Sequence, residues 1–268
     1  MRPFSGHLVV VRGGGDIGSG VIWRLRRVGF PVVVLELERP LTVRRTVAFS
    51  SAVSDRHVEI DGIAGSLVES PADALEVAHT GVVAVLASDT IPRFAEPISV
   101  LVDARLAKQP LDTTIRQAPL VVGLGPGFVA GDNCHVVIET MRGHRLGRAI
   151  WEGAAAANTG IPGDIGGASS ERVLRAQHDG QVAWDVGFGD VVTSGQQLGQ
   201  IDDHAVVSAI DGTVRGLISS GPVTPGLKIG DVDPRFDPQA IDQISDKAMA
   251  VGGGVLEAVL VWLNDVSQ

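Results

Sequence analysis

The chain has 268 residues and a mass of 27.9 kDa, with 44% hydrophobic and 20% charged side chains. That balance excludes a disordered chain and is enough to bury a core in one large or two modest domains. A net charge of −9 and a pI near 5.2 oppose general nucleic-acid binding, which needs a basic face.

Glycine, at 34 residues, makes up about 13% of the chain against a usual ~7%. It falls in short clusters without a collagen period, the pattern of tight turns and ligand loops. The apolar run after His7 is too short for a secretory leader, and no apolar stretch reaches the roughly 20 residues of a membrane span. The single Cys134 cannot form an internal disulfide. Together these features predict a cytoplasmic protein without membrane contact.

Residues 7–11 are apolar and β-branched and pass straight into Arg12-Gly-Gly-Gly-Asp-Ile-Gly-Ser-Gly20, a strand entering a glycine turn. Val21, Ile22, Leu25 and Val28 then recur at helical spacing up to Gly29. Residues 31–36 read as a second buried strand, so the start of the chain is a β-α-β unit with a right-handed crossover. Residues 57–68 alternate around Asp61-Gly62, a hairpin signal. A helix follows at 72–78, strands at 82–86, 98–102 and 135–139, and residues 120–127 read as another strand ending in glycines. Turn residues crowd 160–167.

Beyond that break lies an internal repeat. Residues 176–201 are echoed by 209–229, with Asp179-Gly180 answered by Asp211-Gly212 and Ser194-Gly195 by Pro225-Gly226. Two short valine-rich copies predict a sandwich in which each completes the other's core, similar to the lipoyl- and biotinyl-type barrel-sandwich fold. Where that family carries its lysine, residues 201–205 have none. The predicted fold is therefore an α/β Rossmann-like parallel-sheet domain at 1–165, a two-repeat barrel-sandwich domain at 166–235, and C-terminal helices at 236–268. Gly252-Gly253-Gly254 is expected to break or kink the last of these.

The chemistry candidates follow from this layout. Gly13-Gly14-Gly15-Asp16-Ile17-Gly18 has the glycine spacing that brings a pyrophosphate to a helix N-terminus. Glu36 lies 18 residues past Gly18, near the spacing at which an acid holds a ribose hydroxyl. A purely structural turn fits the same pattern, and Asp16 repels a phosphate unless it caps the helix or meets a cation. Arg44 and Arg45 either grip a phosphate or form a solvated face. Gly125 and Gly127 end another strand and either flank the same crevice or make a plain turn. Arg142, His144 and Arg148 form a loop suited to an anion or to proton transfer, with a solvated turn as the alternative. Asp103, Arg105, Asp112 and Thr113 are either functional or a local salt bridge. Cys134 and His135 point to opposite strand faces, so no metal site is expected.

As a set, residues 10–21, 40–49, 123–128, 139–148, 159–163 and 228–235 resemble the YqeB family of selenium-dependent molybdenum hydroxylase maturation proteins, distantly akin to the factors that deliver molybdenum cofactor to xanthine dehydrogenase. The resemblance implies an accessory protein whose partners are a client molybdenum hydroxylase and a small-molecule cofactor of molybdopterin type. On those motifs the cofactor-binding residues are placed at Gly13 to Gly18, Glu36, Arg44, Arg45, Gly125, Gly127, Arg142 and Arg148. His144 and Cys134 are the catalytic candidates, Cys134 as a holder of sulfur or selenium. Two other readings compete: an oxidoreductase using NAD(P), and a scaffold that docks its client without a ligand. A homo-oligomer is compatible with all three.

Overall fold

Residues 8–12 are apolar up to Arg12 and buried throughout, as a strand covered on both sheet faces must be. In the computed structural model, which describes residues 3–107, 109, 111–158, 160 and 166–266, the chain divides into two compact units. The first comprises residues 1–40, 47–158 and 244–268, and the second residues 41–46 and 159–243. The turn-rich residues 161–165, at the predicted boundary, lie outside the described residues.

The first unit is built on strands β1 (Leu8–Arg12), β2 (Val32–Glu36), β3 (His57–Ile60), β4 (Ile63–Val68), β5 (Val83–Ala87), β6 (Ile98–Asp103) and β7 (Leu120–Leu124). It also holds the short β8 (Val129–Ala130), β9 (Val136–Ile138), β10 (Ala149–Ile150) and β11 (Gly153–Ala154). Nine of them form one sheet in the order β10-β9-β7-β6-β1-β2-β5-β4-β3, while β8 and β11 pair separately. The inner seven strands run parallel, and β3 and β10 close the edges antiparallel. The predicted hairpin is β3–β4, with Asp61 and Gly62 both at positive φ, as a two-residue hairpin turn demands.

This sheet corrects the Rossmann-like expectation. Among the described residues only two crossovers carry a helix of more than one turn, α1 (Asp16–Val28) between β1 and β2 and α3 (Pro71–Thr80) between β4 and β5. A single-turn α2 (Ala52–Asp55) precedes β3. Among the described residues, the connections from β5 to β6, β6 to β7 and β7 to β9 contain no helix. These connections carry prolines, the last of them glycines as well, and lack an apolar stripe at helical spacing, so they cannot cover a sheet face as helices do.

The C-terminal helix fills that role. α4 (Asp246–Val266) is one continuous helix of 21 residues, not a pair broken at the glycines. Ala248, Val251, Val255, Ala258 and Val259 join Ile17, Val21, Ile22 and Leu25 of α1 in the core on one sheet face. The opposite face, built from the alternate residues Leu8, Val10, Val33 and Leu101, packs against Ala74 and Ala78 of α3. By length and composition α4 also meets the requirement for a membrane span, with a third of its apolar window buried. Apolar-run counting misses it because three glycines interrupt the run.

Gly252 and Gly254 bring α4 close rather than kinking it. A Cβ on Gly252 would run into the Gly20 carbonyl of α1, one on Gly20 into the Ala248 carbonyl, and one on Gly254 into the Gly147 carbonyl. Gly20 lies against Ala248 and Gly252, and the Arg24 side chain lies beside Gly252. The two helices therefore run side by side in the same direction.

The second unit contains β12 (Val173–Arg175), β13 (Gly180–Trp184), β14 (Val191–Val192), β15 (Gln197–Ile201), β16 (His204–Val207), β17 (Gly212–Leu217), β18 (Gly221–Val223) and β19 (Lys228–Asp233). They form two four-stranded sheets, β12-β19-β17-β14 and β16-β15-β13-β18, over a shared core that includes Val182, Leu198, Val214 and Ile229. The repeats exchange strands: β14 of the first copy pairs with β17 of the second, and β18 of the second with β13 of the first. The barrel expectation is corrected here as well, since no hydrogen-bonded ladder among the described strands joins the two sheets into a closed barrel.

Candidate functional site

The carboxyl ends of the parallel strands in the first unit gather the sequence candidates. β1 ends in Gly13, whose φ of +96° favours glycine, and the next turn opens α1. A Cβ on Gly18 would strike the Gly13 carbonyl oxygen, so the third glycine lets the helix start directly on the strand end. Gly15 is the N-cap, and no side chain caps the helix; Asp16 stands in its first turn, where a carboxylate suits the helix dipole.

Glu36 does not stand apart as a ribose acceptor. Its Oε1 accepts the Gly14 N–H at 2.7 Å and its Oε2 the Leu37 N–H at 3.0 Å. Burial raises its pKa against the lowering effect of those two bonds. The Gly14 carbonyl accepts from the Ser50 N–H and the Ser19 hydroxyl. Both backbone groups of Gly14 are thus engaged within the protein, and the uncapped helix start at Gly15 is what the turn presents.

Next to β1, the ends of β1 and β6 are locked by an ion network. Arg12, only 2% exposed, donates to both Asp112 oxygens at 2.9 and 2.8 Å, to Thr113 Oγ1 and to the Asp89 carbonyl. Arg105 bridges Asp103 and Asp112, and the Thr113 hydroxyl donates to Asp103 at 2.6 Å. The guanidiniums of Arg12 and Arg105 hold the Asp112 carboxyl far below its ordinary range. The donors of this cluster are spent on one another, which makes it a clamp between strand ends.

Two strands further along the same edge, Gly125 donates to the Ile138 carbonyl and lies against Thr140. Gly127, at φ +103°, packs beside the backbone of Gln109. Glu139, at the end of β9 and buried, accepts from the N–H groups of Met141 and Ala156, both at 2.8 Å. It shapes the loop that carries Arg142, His144 and Arg148, all exposed. Arg142 makes a two-pronged ion pair with Asp246 at 2.6 and 3.0 Å, tying that loop to the start of α4.

Lys247 is the residue that the sequence reading passes over. It follows Asp246 in the first turn of α4, where a cation opposes the helix dipole. Burial and the charge of Arg142 lower its pKa, against the pull of Asp16, Glu139 and Asp246. Those carboxylates stand near without pairing to it: among the described residues Lys247 has no hydrogen bond and no ion pair. One signal was available in sequence, since Lys247 is one of only three lysines against 19 arginines and opens the last apolar helix.

The remaining candidates lie elsewhere. Cys134 sits in the core on the α3 face with Val121, Phe128 and Val137, fully buried, and burial pushes its thiol up to about 11. Arg44 and Arg45 belong to the second unit. There Arg44 donates to the carbonyls of Ala240 and Gln243 at 2.7 and 3.0 Å. Arg45 donates to the Leu217 carbonyl at 2.9 Å and lies over the Phe188 ring. Among the described residues no group of three or more metal-ligating side chains occurs.

Fold and site together describe an α/β protein with an uncapped glycine turn and an unpaired lysine at the carboxyl edge of a parallel sheet. No protein-family model matches the chain. It is 45% identical over 270 residues to the uncharacterized protein YqeB of Escherichia coli strain K12, an alignment covering 98% of this chain and 50% of that protein. That identity supports the YqeB family to which the motifs point, and the chain spans about half the length of this curated relative.

Two solved structures with likeness to the chain bear aspartoacylase-type names. One is an aspartoacylase family protein from Mesorhizobium loti, at 9% identity over 85% of this chain and 84% of that one, with a TM-score of 0.28. The other is a succinylglutamate desuccinylase/aspartoacylase from Rhodobacter sphaeroides, at 18% identity over 85% of each chain, with a TM-score of 0.26. Superpositions that loose assign neither fold nor activity.

Proposed function

We propose that the chain is an accessory protein that holds an anionic, phosphate-bearing cofactor of nucleotide or molybdopterin type at the start of α1. In this reading it serves the maturation of a client molybdenum hydroxylase in the cytoplasm. The observation that carries the ligand half is the meeting of an uncapped glycine helix start with Lys247, a half-buried lysine that has no hydrogen bond or ion pair among the described residues. Helix N-termini favour anions through their unpaired N–H groups and dipole, and an ammonium beside them adds attraction for the same anion.

In this reading the N–H groups at the start of α1 and the Lys247 ammonium bind the phosphate, while Glu36 holds the turn in shape through Gly14. Arg142, fixed by Asp246, sets the charge at the rim. The maturation half rests on the family resemblance alone.

The test is native mass spectrometry of protein purified without oxygen, with molybdenum and selenium analysis of the same sample. A bound pterin or nucleotide mass that disappears in Gly15→Val and in Lys247→Met supports the site. Equal occupancy in the wild type and both variants refutes it. A nicotinamide in that position instead assigns the turn a redox role.

A further inference from the structure

We infer that the second unit carries a separate oxyanion site centred on Arg215, with Lys228 at its rim. The residues belong to the segment 228–235 and its neighbouring strand, which the proposed function does not use. On β19, Val232 faces the core, so the flanking Asp231 and Asp233 project from the other sheet face. Arg215 on β17, adjacent to the core residue Val214, projects beside them.

The two carboxylates are already saturated. Asp231 accepts from Arg172 Nη1 at 2.8 and 2.7 Å and from Lys228 Nζ at 2.5 Å. Asp233 accepts the Arg235 N–H at 3.0 Å and the Arg235 fork at 2.9 and 2.6 Å. A carboxylate offers about four lone-pair directions, and little remains for a further cation. Arg215 obtains a single bond, from Nη1 to Asp233 at 3.1 Å. Its Nε stands 4.0 Å from Asp231, buried and without an acceptor.

Arg215 is only 9% exposed yet uses one of the five N–H donors of a guanidinium. Buried donors of a charged group are ordinarily satisfied. A phosphate or carboxylate group is the partner whose charge and geometry match the unbonded donors of a guanidinium. Entry is graded: Asp231 and Asp233 are buried, while the Lys228 and Arg235 side chains are 37% and 47% exposed. An oxyanion arriving from solvent meets Lys228 first and Arg215 behind it.

The experiment is calorimetric titration of the full chain with inorganic phosphate, and in a parallel arm with acetate, at constant ionic strength. Saturable phosphate binding is expected, and in a Gly15→Val background that removes any binding at the glycine turn it is weakened at least tenfold by Arg215→Leu and several-fold by Lys228→Met. Should Arg215→Leu fail to fold, Arg215→Lys retains the charge but removes the fork and is expected to weaken binding likewise. Acetate binding with the same dependence on Arg215 and Lys228 supports a carboxylate as the ligand group. The inference is overturned if neither anion binds the wild type, if the Lys228→Met and Arg215 variants bind as their Gly15→Val parent does, or if Gly15→Val by itself abolishes binding. The last result assigns the anion to the glycine turn.

Discussion

Replacing Gly252 and Gly253 separately by alanine gives neighbouring variants of opposite sign. In an unobstructed helix, glycine to alanine gains about 1 kcal/mol of helix propensity. Gly253 is such a position, because a Cβ there meets nothing within 4 Å; Gly253→Ala is expected to stabilise by about that amount. At Gly252 the same Cβ would collide with the Gly20 carbonyl oxygen and lie 2.7 Å from its carbon. The obstruction is backbone, so the helices must separate along the line where Gly20 also meets Ala248. Overpacking of this kind costs about 1–3 kcal/mol, which exceeds the propensity gain through most of its range. Net of that gain, Gly252→Ala is therefore expected to destabilise by up to about 2 kcal/mol, leaving about 1–3 kcal/mol between the two variants. At roughly 2–4 °C per kcal/mol for a chain of this size, the difference is readily measured. Urea unfolding followed by tryptophan fluorescence is suited to it, since Trp23 lies on α1 and Trp262 on α4. A Gly252→Ala midpoint equal to or above that of Gly253→Ala would refute the glycine-mediated contact.

Three further expectations concern other parts of the molecule. Cys134 should resist iodoacetamide at pH 8 in the folded protein and react promptly in urea, because its thiol is buried and raised to about 11; rapid labelling of the native chain contradicts its core placement. Burial alone would raise Asp233, but Arg235 and Arg215 overcome it and hold the carboxyl at about 2, below its ordinary 3.8. A depressed folded pKa contributes stability above the unfolded value that is lost as pH falls, so the second unit should weaken between about pH 4 and pH 2. An Asp233→Asn variant should lose the share of that dependence that Asp233 carries in an acid-unfolding series, the remainder belonging to Asp231, which burial would raise and Lys228, Arg215 and Arg172 hold below its ordinary value. Removing Arg12 as Arg12→Met should cost about 2–3 kcal/mol, less than the ~3–5 kcal/mol of breaking a fully buried pair. The reason is that Asp112 is 56% exposed and regains water; denaturant midpoints measure the loss, and an unchanged midpoint rules out the clamp between β1 and β6.

The β-α-β start of the chain was legible because period and punctuation coincide: β-branched residues 8–11, a glycine turn, an apolar stripe at helical spacing, and Gly29 as the stop. The hairpin at Asp61-Gly62 and the repeat in 176–229 were legible for the same local reason. The sheet's partners were not. Residues 88–97 and 104–119 carry little periodicity, and nothing local says that they cross without helices or that α4 supplies the missing cover. At the site, Glu36 stands at the spacing for a ribose acceptor, but its carboxylate is spent on Gly14 and Leu37. The arginines 44 and 45 read as an anion grip and prove to hold carbonyls of the second unit.

The sequence by itself determined the glycine turn, the helix that opens from it and the strand-exchanging repeat, because backbone freedom at glycine and side-chain period act over a few residues. Only the tertiary structure decided that α4 lies along α1, that Lys247 reaches the carboxyl edge of the sheet without a partner, and that Cys134 is sealed in the core. Those outcomes depend on which distant backbones approach one another and on which charges are removed from water, and both are properties of the packed chain.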